Sequence, residues 1–89
     1  MANPIIQAGG LFSNHFLEVT FLDLRLGDPK SIHPPGRRVS YRQINLLLLS
    51  SSNQLSLRIG PEYFTIPFKP DDAKHQQVLE ALVAGLARA

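Results

Sequence analysis

The sequence predicts an α+β domain. Its sheet is antiparallel and either strongly curved or a partly open barrel, with about five to six strands and one C-terminal amphipathic helix. Three observations predict this. Between His15 and Phe68, apolar and polar residues alternate at period two in several short stretches, the spacing that puts every second side chain on one face of a strand. Apolar residues at helical spacing are confined to the stretch after Lys69. The chain has 89 residues, 44% apolar and 18% charged, which suffices for one core and one domain over 1–89.

Residues 1–14 are punctuated by Pro4, Gly9, Gly10, Ser13 and Asn14, so this stretch is either loosely ordered or holds one short strand, Ile5 to Ala8. In the next stretch, Leu17 and Val19 alternate with Phe16, Glu18 and Thr20. Leu22, Leu24 and Leu26 then alternate with Asp23 and Arg25. The apolar phase passes from odd to even positions near Thr20. One straight strand cannot carry both sets on one face, so a tight turn or bulge is expected at Thr20 to Asp23. Gly27 to Arg38, GDPKSIHPPGRR, contains three prolines and two glycines and reads as a long loop.

Val39 to Leu49 reads as a strand whose second half, INLLLL, is almost continuously apolar. Such a run fits burial on two faces, or burial on one face and a partner on the other. Ser50 to Gln54 is turn-like, and Leu55, Leu57 and Ile59 alternate with Ser56 and Arg58, giving a hairpin. Gly60-Pro61-Glu62 turns the chain into a last strand up to Phe68. Pro67 has no amide proton, so its amide side belongs at an edge or a strand end. The helix is expected over 70–88, with Asp71 and Asp72 at its N-terminus and a stripe of His75, Val78, Leu79, Leu82, Val83 and Leu86. Gly85 inside that stripe predicts a fraying end.

Composition and motifs restrict the chemistry. The chain has no cysteine, which removes disulfides, thiolate metal sites and cysteine nucleophiles. Its three histidines, His15, His33 and His75, lack metal-ligand spacing, and no phosphate-binding glycine loop or nucleophile-elbow motif occurs. The expectation is no metal, no cofactor and no catalytic residue. Only a deep pocket lined by Asp28, His33 and Arg37 would revive an enzymatic reading. No apolar run approaches the ~20 residues of a membrane span, and the first 25 residues lack a signal-peptide pattern. A cytoplasmic location is expected.

Two segments stand out as candidate sites. Residues 25–42 hold Arg25, Lys30, Arg37, Arg38 and Arg42 against one acid, Asp28. That segment is therefore +4, in a chain whose net charge is +2. Lys30, His33, Arg37, Arg38 and Arg42 are the candidate anion-binding residues, with nucleic acid as one anion they could meet and Tyr41 as a stacking partner. Leu46, Leu47, Leu48 and Leu49 are the candidate partner interface, because a strand with leucines on consecutive positions has more apolar surface than one buried face uses.

Four stretches together resemble the pleckstrin-homology-like superfold, especially its small bacterial versions: HFLEVTFLDLRLG, RRVSYRQINLLLL, QLSLRIGPEYFTIPF and the closing DDAKHQQVLEALVAGL. The resemblance covers most of the chain from His15 onward and rests on element order. It implies a binding or assembly scaffold. Lipid-binding members carry basic residues in the loop after the first strand. The corresponding GGLFSN, Gly9 to Asn14, has none, so phosphoinositide binding is not carried over. The expected function is a non-catalytic module that self-associates or docks a protein partner through an apolar strand face. The alternative is a small anion- or nucleic-acid-binding protein using the basic 30–42 segment.

Overall fold

The computed structural model describes residues 3–10 and 13–89. Two antiparallel sheets and one C-terminal helix form an α+β fold. The first sheet runs in sequence order through β1 (Ile5–Ala8), β2 (His15–Val19), β3 (Asp23–Gly27) and β4 (Arg37–Ser40). A 3-10 turn, Tyr41–Gln43, leads into the second sheet. That sheet is β5 (Ile44–Ser50), β6 (Gln54–Ile59) and β7 (Glu62–Pro67). Helix α1 (Ala73–Arg88) packs against β1, β2 and the 3-10 turn.

The described residues hold seven strands, not five to six. Ile5 to Ala8 does pair, in register with His15 to Glu18, and its Ile6 is buried. The second source of the difference is Val39 to Leu49, expected as one strand. It is two, because Tyr41–Gln43 turns the chain from the first sheet into the second. The expected helix start at residue 70 also moves. Asp72 is the N-cap, and its Oδ1 accepts from the Lys74 and His75 amides at 2.8 and 3.4 Å, so Pro70 and Asp71 lie in the preceding turn. Of residues 1–14, Met1, Ala2, Leu11 and Phe12 lie outside the described residues.

The turn expected at Thr20 to Asp23 is present, and a single side chain organises it. Thr20 Oγ1 accepts from the Leu22 and Asp23 amides at 3.2 and 3.0 Å and lies 2.7 Å from Asp23 Oδ1. This reversal lets Leu17 and Val19 share a face with Leu24 and Leu26, and all four are buried.

The core lies between the two inner faces. Ile6, Leu17, Val19, Leu24, Leu26 and Val39 come from the first sheet, and Leu55, Leu57, Ile59, Phe64 and Ile66 from the second. Val78 and Leu82 of α1 complete it. Val83, expected in the helix stripe, is half exposed, while Gly85 is buried instead. The helix does not fray there. Gly85 is where α1 meets the Tyr41 ring, and a Cβ at that position would overlap the ring. Tyr41 Oη in turn donates to the Thr20 carbonyl at 2.5 Å. Burial pushes the Tyr41 phenol above its usual pKa, an effect partly offset by the Arg88 charge nearby. The corner residue, the first-sheet turn and the helix are thus joined at one end of the molecule.

Candidate functional site

The second sheet presents an inner and an outer face that differ in kind. On the inner side, Leu55 and Leu57 of β6 and Phe64 and Ile66 of β7 are buried. On the outer side, the register aligns Leu46, Arg58 and Tyr63 in one cross-strand row and Leu48, Ser56 and Thr65 in the next. Arg58 lies over the Tyr63 ring at 5.9 Å, and Ser56 Oγ and Thr65 Oγ1 are 3.0 Å apart. Leu46 is 41% exposed and Leu48 49% exposed.

Strand β5 is an edge of this sheet, paired only with β6. The four leucines of the sequence motif divide by strand alternation. Leu46 and Leu48 face outward. Leu47, opposite the buried Leu57, is partly buried against the core. Leu49, opposite the buried Leu55, is on the inner side yet remains 49% exposed, because no strand among the described residues closes the sheet beyond β5. Apolar surface is therefore open on both faces of one edge strand. A bulge between Ile44 and Leu46 is pinned by Asn45, whose Oδ1 accepts from the Gly60 amide at 2.9 Å.

Edge strands are commonly protected by charge, proline, shortness or cover. Three of the four edges here have such protection. β4 is four residues long and carries Arg37 and Arg38. β1 is also four residues long and lies against α1. β7 ends in Pro67, and its Thr65 carbonyl lies 2.7 Å from His15 Nε2 of the first sheet. β5 is seven residues long, without charge or proline, and has only its bulge.

The basic segment is arranged differently from what its charge density suggests. The loop between β3 and β4 spans 28–36 rather than 27–38, so Arg37 and Arg38 belong to β4. Adjacent positions on a strand face opposite sides. Arg37 reaches the second sheet, where its Nη2 donates to Glu62 Oε2 at 2.7 Å. His33 Nε2 lies 3.4 Å from the other oxygen of Glu62. Arg38 Nη1 instead contacts Asp23 Oδ1 at 3.1 Å on the first sheet's outer face. Chiefly the Arg37 hydrogen bond holds the Glu62 carboxyl below its ordinary pKa. Arg25 is paired with Glu18 at 2.5 Å. Among the described residues, Lys30 and Arg42 have no ion pair. Tyr41, the proposed stacking residue, is buried and unavailable to a base.

The loop and the second sheet enclose a cavity of about 360 Å³, with a floor of Leu26, Ile59 and Phe64. Asp28, Lys30, His33, Arg37 and Glu62 line its rim, so the pocket that an enzymatic reading requires does exist. Of its polar groups, His33 and Arg37 pair with Glu62, while the Lys30 ammonium has no ion pair among the described residues. Ser31 Oγ accepts from the His33 backbone amide at 3.0 Å and Asp28 Oδ1 from the Lys30 amide at 2.9 Å, both within the loop. Arg37, Arg38 and Arg42 border a second, shallower groove, shared with Glu62.

Two further exposed apolar residues were not among the candidate site residues. Phe21 and Leu22, at the tip of the β2–β3 hairpin, are 71% and 79% exposed. Arg88 stacks on the Phe21 ring at 4.0 Å. In the sequence they fall within the turn expected at Thr20 to Asp23.

No protein-family model matches the chain, and no curated protein matches it. Among the described residues, no helix is long and apolar enough to cross a membrane, and no cluster of three metal-ligating side chains is present.

Proposed function

We propose that this chain is a non-catalytic interaction module of pleckstrin-homology-like form, and that it docks a protein through the edge and outer face of β5. One observation carries the reading. The longest edge strand lacks charge and proline, and bears half-exposed leucines on both faces. The fold-family part rests on element order: four antiparallel strands, then three, then a helix packed against the first sheet. An arriving strand or apolar surface removes Leu46, Leu48 and Leu49 from water, and a strand also satisfies the outward backbone groups of β5.

The test is a photo-activatable phenylalanine analogue at position 48, with a second at position 77 on the exposed side of α1, in cells that make the chain. Docking through β5 yields a discrete protein adduct from position 48 and none from position 77. Absence of an adduct from position 48 removes the reading.

Lys30 and Arg42 support a second, weaker reading as an anion-binding surface, because their charges lack internal partners. That reading expects binding to single-stranded nucleic acid that falls steeply with salt and is lost in the Lys30→Ala, Arg42→Ala double variant. Salt-insensitive association points back to β5.

A further inference from the structure

We infer that the cavity between the β3–β4 loop and the second sheet is a binding site for a small carboxylate with an apolar body. The site is separate from the β5 edge and does not rest on the docking reading above.

Size and floor set the body of the ligand. At about 360 Å³ the cavity lies at the small end of ligand pockets, with room for roughly a dozen non-hydrogen atoms. Leu26, Ile59 and Phe64 form the floor, so a polar group reaching it would lose water and gain no side-chain partner. Ile32, from the loop, lines the same cavity and is 97% exposed. An isoleucine so exposed adds nothing to the core of the fold, and an apolar ligand body takes part of it out of water.

Charge at the rim sets the other end. Glu62 is already held by Arg37 and His33. Arg37 has a side chain only 22% exposed and donates to Glu62 through Nη2. Its other side-chain N–H groups meet no protein acceptor among the described residues. Lys30 adds an ammonium without an ion pair. The remaining acid, Asp28, has its Oδ1 engaged by the Lys30 backbone amide at 2.9 Å. A carboxylate at the rim therefore meets one free ammonium and the unengaged donors of one guanidinium, the two groups that suit it. A ligand ammonium would meet Glu62, whose charge Arg37 already offsets.

The probe is 3-phenylpropanoate. With about eleven non-hydrogen atoms, it is expected to bind with a dissociation constant on the order of 1 mM. An NMR titration of the full chain at constant ionic strength is expected to show saturable shifts centred on residues 26–37 and 59–64. Lys30→Ala is expected to weaken binding about tenfold. Ile32→Ser is expected to weaken it several-fold. Both residues are exposed, so their unfolding temperatures are expected to stay unchanged. Arg42 borders the shallower groove and not this cavity, so Arg42→Ala is expected to leave binding unaltered. That result separates the pocket from an anion-binding surface that uses both cations. 3-Phenylpropanamide and acetate, each lacking one half of the ligand, are expected to bind about tenfold more weakly or worse. The inference is overturned by the absence of saturable shifts, by equal binding of the amide or of 3-phenylpropylamine, or by a Lys30→Ala variant that binds as well as the wild type. None of these outcomes bears on docking at β5, which is read from the adduct at position 48.

Discussion

The outer faces of the two sheets solve the same problem in opposite ways. On the first sheet, Glu18, Arg25 and Arg38 stand in one cross-strand row. Arg25 is paired with Glu18 and Arg38 with Asp23. Its charges are matched within the chain, and the row ends on the β1 edge at Ile5, itself 41% exposed. On the second sheet, the corresponding position at the edge is leucine, and neither Leu46 nor Leu48 is covered. A solvated ion-pair face gains little from meeting another protein, because exposed pairs contribute about 0–1 kcal/mol and water already satisfies them. A half-covered leucine face gains from any contact that dries it. The contrast indicates that surplus charge in a sequence and surplus apolar surface in a fold are unequal guides to function, since charge is readily neutralised by a neighbouring strand.

The sharpest way to test that contrast is inside one strand pair. Leu57, buried opposite Leu47, is expected to lose about 2–5 kcal/mol of stability as Leu57→Ala, measured by chemical denaturation. Leu46→Ala on the outer face is expected to lose under about 1 kcal/mol in the isolated chain and to weaken docking instead. Equal losses at the two positions would mean that the outer leucine is structural. The next largest effect is expected at the helix contact. Gly85→Ala forces a methyl group into the Tyr41 ring and is expected to cost about 1–3 kcal/mol, even though alanine favours helix over glycine. A stabilised Gly85→Ala variant would show that the corner is loose.

A smaller effect tests the basic segment. Glu62→Gln releases Arg37 and His33, and is expected to tighten binding to a polyphosphate several-fold and to steepen its salt dependence by about one charge. No change would mean that neither cation reaches the surface. The smallest effect is acid sensitivity. The Glu62 and Asp72 carboxyls are held below their ordinary values of 4.5 and 3.8, Glu62 chiefly by Arg37 and Asp72 chiefly by the Lys74 amide. A lowered folded-state pKa stabilises above the unfolded-state value, and that contribution is lost as pH falls through the folded one. The unfolding temperature is therefore expected to decline gently below about pH 4.5, and the Glu62→Gln, Asp72→Asn double variant to decline less.

Much of the fold was legible because its signals are local. The phase change at Thr20, the hairpin between Leu49 and Leu55 and the acidic helix start each depend on residues close in sequence, and each appears in the structure. Tyr41–Gln43 was not read as a turn. Gln43 Oε1 accepts from the Ser40 amide at 2.8 Å, a local capping contact that was passed over, and Tyr41 is held between Gly85 and the Thr20 carbonyl, both distant in sequence. The leucine quartet was legible as a surplus, but its division into Leu47 facing the core and Leu46 and Leu48 facing outward needed the register with β6. Arg37 and Arg38 read as one patch only while both were taken for loop residues. As strand residues, they turn to opposite sides.

The sequence by itself determined where most of the strands and turns and the helix lie, because period two, helical spacing and capping chemistry act over a few residues. The tertiary structure alone decided which cations are matched and which leucines remain uncovered. Glu62 reaches Arg37 from 25 positions away, and β5 is left open because no other strand among the described residues pairs beyond it. Neutralisation and burial are properties of neighbours in space, and those neighbours are set by how the two sheets close on their common core.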